Sequence, residues 1–160
     1  MSAVNLQPTR ALLVQPEDTI DIPYPALIAS GTNTSVLANN LIDSAATFIS
    51  KGVNVGDIIY SRSLVHAGYV SNVVSQTQLT LLAPSPLLFS SIGNDYLIYD
   101  GRNNTGCTIY VGATTTTVRV LTVNGDDLTF TIGGGNFLPV KVRRVFNTGT
   151  TNTSKIIALW

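Results

Sequence analysis

Groups that do acid–base or metal chemistry are scarce in this 160-residue chain, which has one His, one Cys, one Met, one Trp and a single Glu, Glu17. Charged residues make up 11% of it, and 9 basic against 9 acidic groups leave a formal net charge of zero. An ordinary domain carries roughly 25% charge. A protein that binds nucleic acid through phosphates shows a clustered basic excess, and this chain has none. Cys107 stands alone, which excludes an internal disulfide and a multi-Cys zinc site. No apolar run is long enough to span a bilayer, because the longest, Leu79 to Phe89, is broken by Pro84 and Pro86. Met1 to Leu13 lacks a basic stretch followed by an unbroken apolar one, so the chain reads as made in a cytosol without a secretory signal.

With so little charge, a 44% hydrophobic composition excludes wholesale disorder. It is a poor recipe for a freely soluble monomer and fits a chain whose surface is covered by other chains. Thr, Val, Ile, Ser, Asn and Gly dominate, while straight-chain helix formers other than Leu and Ala are nearly absent. The expected fold class is all-β: small β-barrel or β-sandwich modules with an extended N-terminal arm.

Residues 1–30 read as that arm, because Pro8, Pro16, Pro23 and Pro25 are spread through it. It either packs on its own domain or reaches a neighbouring subunit. A first β module is expected over 31–100. Its 31–50 part reads as irregular with a strand, and clearer strands follow from Val53, over 64–74, 78–82 and 96–99. Asp100 to Gly106 is polar and turn-rich and marks a boundary. The C-terminal module, 101–160, holds a hairpin over 118–132, turned by Asn124-Gly125, a strand over 137–146 and a terminal strand over 155–160. Pro139 places an edge or a bulge in the 137–146 strand.

Catalytic constellations are not evident. His66 lies in a strand-like Leu64 to Tyr69 run, and no Gly-x-Ser-x-Gly elbow is present. Cys107 precedes another strand and reads as a buried small apolar side chain. Glu17/Asp18 fall in the Pro-rich arm, and Asp126/Asp127 fall in a turn that favours Asp. No His/Cys/Asp/Glu spacing fits a metal site, and Gly133-Gly134-Gly135 reads as a turn. Asn33, Asn103 and Asn152 match the glycosylation pattern and read as fortuitous. The expectation is no enzyme activity, no catalytic or metal residues and no cofactor. Exposed Tyr96, Tyr99 and Tyr110 would suit a carbohydrate-binding domain, although their spacing favours packing.

Two stretches carry a family resemblance. Leu41-Ile-Asp-Ser-Ala-Ala-Thr-Phe48, Gly52-Val-Asn-Val-Gly-Asp-Ile-Ile59 and Ser75-Gln-Thr-Gln-Leu-Thr-Leu81 together resemble a recurrent β module of tailed-bacteriophage virion proteins. Phe137-Leu-Pro-Val-Lys-Val-Arg-Arg-Val-Phe146, Thr148-Gly-Thr-Thr151 and Ile156-Ile-Ala-Leu-Trp160 resemble the ending of phage head-associated structural proteins, including marine and cyanobacterial ones. Asn147 and Asn152-Thr153-Ser154 depart from the Ala-rich positions usual around that Thr-Gly-Thr-Thr turn.

The resemblance implies a head decoration (cement) protein or a spike-base-like component, located on the capsid surface of a virion after synthesis in the host cytoplasm. Its expected partners are the major capsid protein and further copies of itself, a trimer being favoured, with no nucleic acid and no membrane. A neck or tail component and a glycan-binding attachment domain are the alternatives. The candidate intersubunit or capsid contacts are Leu12, Val14, Ile22, Tyr24, Arg143, Arg144, Leu159 and Trp160. On this reading, removal of residues 1–22 leaves a folded protein that no longer binds capsids.

Overall fold

A computed structural model describes residues 8–63, 66–82, 89–102, 105–112, 114–151 and 153–160. Its strands are β1 (Ala11–Leu13), β2 (Leu27–Thr32), β3 (Ser35–Leu37), β4 (Asn40–Ile42), β5 (Ile58–Ser61), β6 (His66–Val73), β7 (Gln78–Leu82), β8 (Asp95–Tyr99), β9 (Cys107–Val111), β10 (Thr116–Thr122), β11 (Asp127–Ile132), β12 (Asn136–Val145) and β13 (Ile156–Leu159). A 3-10 turn at Thr153–Lys155 is the one helical element among the described residues. The fold is all-β, as the composition implies.

The strands form two antiparallel sheets. One has seven strands in the order β2-β8-β5-β6-β7-β4-β3, and the other has six in the order β1-β13-β9-β12-β10-β11. The switch between sheets falls between β8 and β9, across the polar segment read as a boundary. β1 is the exception, since it leaves the N-terminal region to pair with β13 at the far end of the chain, Ala11 opposite Leu159.

Alternation explains each sheet. In β10 the side chains of Thr116, Val118, Val120 and Thr122 are buried while those between them are not. β9 repeats this with Cys107, Ile109 and Val111. These residues, with Leu138, Val142, Ile156 and Ala158, form the core of the six-stranded sheet. Pro139 lies where the β12–β9 register shifts, between Leu138 and Val142, at the expected bulge. The 118–132 hairpin turns through Asn124-Gly125, in a loop of three residues rather than two. Gly125 alone takes positive φ (96°), and Thr122 closes the loop by bonding Asp126 through backbone and side chain. A three-residue loop with a left-handed glycine is the next common solution.

The seven-stranded sheet has a second core of Leu41, Phe48, Ile59, Leu79, Tyr96 and Ile98. Part of the 31–50 region is more regular than expected, because Asn39 takes φ 57° and lets β3 and β4 form a short hairpin. The residues that carry the resemblance build turns. Asp43 accepts the Tyr96 hydroxyl at 2.7 Å and the Ala45 amide at 2.9 Å. Asp57, fully buried, accepts the Asn54 amide at 2.8 Å and the Gly101 amide at 3.4 Å. Burial pushes the Asp57 carboxyl above its ordinary range. Gly101 is required there, since a Cβ would meet the Gly56 carbonyl at 1.9 Å.

Residues 11–22 lie between the sheets. Val14 and Ile22 enter the core of the six-stranded sheet. Ile20 enters a third cluster on the opposite face of the seven-stranded sheet, with Ile58, Tyr60, Ala67 and Tyr99. Leu12 touches both clusters. Backbone bonds run from Val14 to Ile156, from Glu17 to Val145 and from Ile22 to Arg143. Only 11–13 of this segment is strand, and Ile20 and Ile22 are buried without strand geometry.

The expectation that residues 1–22 are dispensable for folding is therefore corrected: three of them, Val14, Ile20 and Ile22, are core side chains, each no more than 4% exposed. Deleting 1–22 should abolish cooperative folding. Ile20→Ala should cost about 2–4 kcal/mol, as cavity-forming Ile truncations do, with both sheets still unfolding in one urea transition. A loss below about 0.5 kcal/mol, within the range of surface substitutions, would contradict this placement.

Candidate interaction surfaces

The candidate contact residues divide by burial. Val14 and Ile22 are each 2% exposed and are spent inside this chain. Tyr24 and Trp160 stack edge-on with ring centroids 5.8 Å apart, and Arg10 sits over Tyr24 at 5.4 Å. Arg143 and Arg144 meet Asp21 of the same chain, at 3.1 Å from Nε and 2.7 Å from Nη2. Arg144 also donates to the Asp18 carbonyl at 3.0 Å. The basic pair thus fastens the 11–22 segment to β12. Leu159 alone of the eight shares an outward-facing row, opposite Ala11 and Thr108.

Beside it runs a row that sequence reasoning missed. Leu13 pairs with Ile157, Ile157 with Tyr110, and Tyr110 with Phe137. Directly opposed residues project to the same face, and here their neighbours Leu12, Ile156, Ile109 and Leu138 pack into the core, so these four face outward. Leu13 and Phe137 are each 57% exposed. The Tyr110 and Phe137 rings lie 5.1 Å apart. At about 4.8 Å between strands, the row extends about 14 Å without a charge. A signal was present in the sequence: β13 is apolar at outward as well as inward positions.

Strand edges form the second feature. β2 and β11 each have six residues and pair on one side only. The other two edges, β1 and β3, have three residues each. Along β2 runs a groove of about 630 Å³, lined by the whole strand, by Asp43 and Tyr96, and by the turn that contains Ala46, Phe48 and Lys51. β2 and β3, at opposite edges of the sheet, are joined by only Asn33-Thr34, so the sheet curls and the groove is its open seam.

The chemistry-bearing groups are placed structurally. Cys107 is 2% exposed and donates to the Val142 carbonyl at 3.3 Å; burial pushes its thiol up to about 12, which leaves it protonated at neutral pH. It is the buried small side chain expected. His66 Nδ1 lies 3.5 Å from Glu17 Oε1, and burial, outweighing that contact, raises the Glu17 carboxyl. Asp127 pairs with Arg119 at 2.6 Å, and Asp126 caps its own turn. Tyr96 and Tyr99 are core residues, 1% and 6% exposed, so of the three tyrosines only Tyr110 reaches the surface. Asn33 is buried, with its amide on Ser35 and Ser91; Asn103 and Asn152 lie outside the described residues.

Asp18 gives the segment a pH dependence. It accepts the Thr148 hydroxyl at 2.7 Å and the Thr148 amide at 2.9 Å, and these bonds hold its carboxyl below the usual aspartate range. A carboxyl lowered on folding stabilises fully above its unfolded pKa, and the contribution is lost as pH falls through the folded value. Thr148→Val should therefore be less stable than wild type at about pH 7, with a smaller deficit at about pH 2. An equal deficit in denaturant titrations at both pH values would contradict this. Comparison with protein families, with curated proteins and with solved structures returns no match.

Proposed function

We propose that this protein is a structural component of a tailed-phage virion, a head decoration protein that binds the outer capsid surface as a homo-oligomer and stabilises the shell. The observation that carries this reading is the uncharged row Leu13–Ile157–Tyr110–Phe137, which spans four adjacent strands of one sheet. Contiguous exposed apolar patches of this kind mark interaction sites. Burying such a row against another protein releases water at about 25 cal/mol per Å² of apolar area. The segment resemblance supplies the class of partner, the major capsid protein. In this reading the chain acts by binding and has no enzymatic role.

A neck or tail location uses the same surface, and particle copy number separates the two: hundreds on a head against a dozen or fewer. A glycan-binding reading has one observation in its favour, the exposed Tyr110–Phe137 ring pair, which a sugar face can stack on.

Leu13→Asp and Phe137→Asp change outward-facing side chains, so both variants should fold. Their co-sedimentation with empty capsids of the cognate major capsid protein should fall at least tenfold. Undiminished capsid binding by both would remove the row from the interface. A glycan-array hit abolished by the same substitutions would move the function to host attachment.

A further inference from the structure

Resting on the homo-oligomer part of that reading, we infer that copies of this chain join head to tail, the free edge of β11 in one copy adding to the free edge of β2 in the next. An unpaired strand edge carries a row of backbone donors and acceptors that another strand satisfies. Natural edges are blunted by shortness, proline or charge. β1 and β3 are blunted by their three-residue length. β2, Leu-Ile-Ala-Ser-Gly-Thr, has neither charge nor proline, and β11 has none after Asp127. The two edges match in length, each six residues, or about 20 Å.

Their surroundings are complementary. Leu27 of β2, which lines the seam, is an apolar side chain 53% exposed, and Leu128 of β11 is one 46% exposed. Lys51 lines the same groove and has no ion pair among the described residues. The hairpin that leads into β11 carries Asp126, which bonds Thr122 but no cation among the described residues. The groove thus offers one uncompensated cation and the incoming hairpin one uncompensated anion. Because β2 and β11 lie in different sheets, the contact is heterologous, and such contacts close into rings or run on as filaments. The strand also fills the seam of the curled sheet, removing an edge as barrel closure does.

Cysteine cross-linking tests this without capsids. Ser30→Cys in β2 is mixed under oxidising conditions with Thr129→Cys or Thr131→Cys in β11; the buried, protonated Cys107 stays silent. The inference expects a disulfide-linked dimer in the mixtures and none in any single variant. It also expects Lys51→Glu and Asp126→Lys each to weaken self-association roughly tenfold, with mixing of the two restoring association between unlike variants, because the charges are again opposite where those two meet. Ser30→Cys linking to itself would overturn the inference in favour of a two-fold β2–β2 contact. Monomers of 17 kDa with no cross-link in any mixture would also overturn it. Failure of the decoration reading looks different: an oligomer that cross-links as expected yet ignores capsids sinks that reading alone, whereas a monomer that coats capsids sinks only this inference.

Discussion

Everything in this structure depends on a stretch of about a dozen residues, 11–22, held as an internal layer. Without it, two β-sheets from separate halves of the chain would each expose a face of apolar side chains. With it, Val14 and Ile22 complete one core, Ile20 completes the cluster on the facing sheet, and Leu12 bridges them. The layer is narrow and lacks regular strand geometry beyond β1. Its backbone is therefore satisfied piecemeal, by Ile156, Val145 and Arg143 on one side, while the Tyr69 hydroxyl accepts from the Asp21 amide on the other. The charged groups follow the same logic. Asp18 and Asp21 are held by Thr148, Arg143 and Arg144, so much of the chain's small stock of charge is spent fastening this layer.

The central strand β5 shows what the layer achieves. All four of its residues are buried, Ile59 toward the core of the seven-stranded sheet and Ile58 and Tyr60 toward the inserted segment. A strand buried on both faces is usual in sheets covered by helices. Here an extended segment and a second sheet provide the cover. Burial pushes the Tyr60 phenol well above its ordinary range, consistent with a dry junction. This packing leaves the outer face of the six-stranded sheet and the two long strand edges open.

Much of the fold was legible because period-two patterns are local. The alternation at 78–82, 118–122 and 138–142, the glycine-containing turn between β10 and β11, and the Pro139 bulge appear as the sequence implies. What pairs over distance was not legible. Nothing in Ala11-Leu12-Leu13 announces β13 as its partner, and a segment with Pro16 and Pro23 looks like a surface arm until a core is seen to need its side chains. The outward row was hidden for a related reason. A strand apolar at every position, such as Ile156-Ile-Ala-Leu, reads as doubly buried, and only the registers reveal that Ile157 and Tyr110 share the open face. Arg143 and Arg144 drew attention as an intersubunit pair because their partner, Asp21, is remote in sequence.

Residues 11–22 are thus an internal layer that holds the two sheets together. Native-state hydrogen exchange of the backbone amides of Val14, Glu17 and Ile22 tests it most directly, with Val118 and Val120 in β10 as core references. Amides released only by global unfolding share one opening free energy, so the account predicts that Val14, Glu17 and Ile22 exchange with the same free energy and denaturant dependence as the references. Exchange of the segment through a low-energy local opening, while both sheets stay protected, would contradict it.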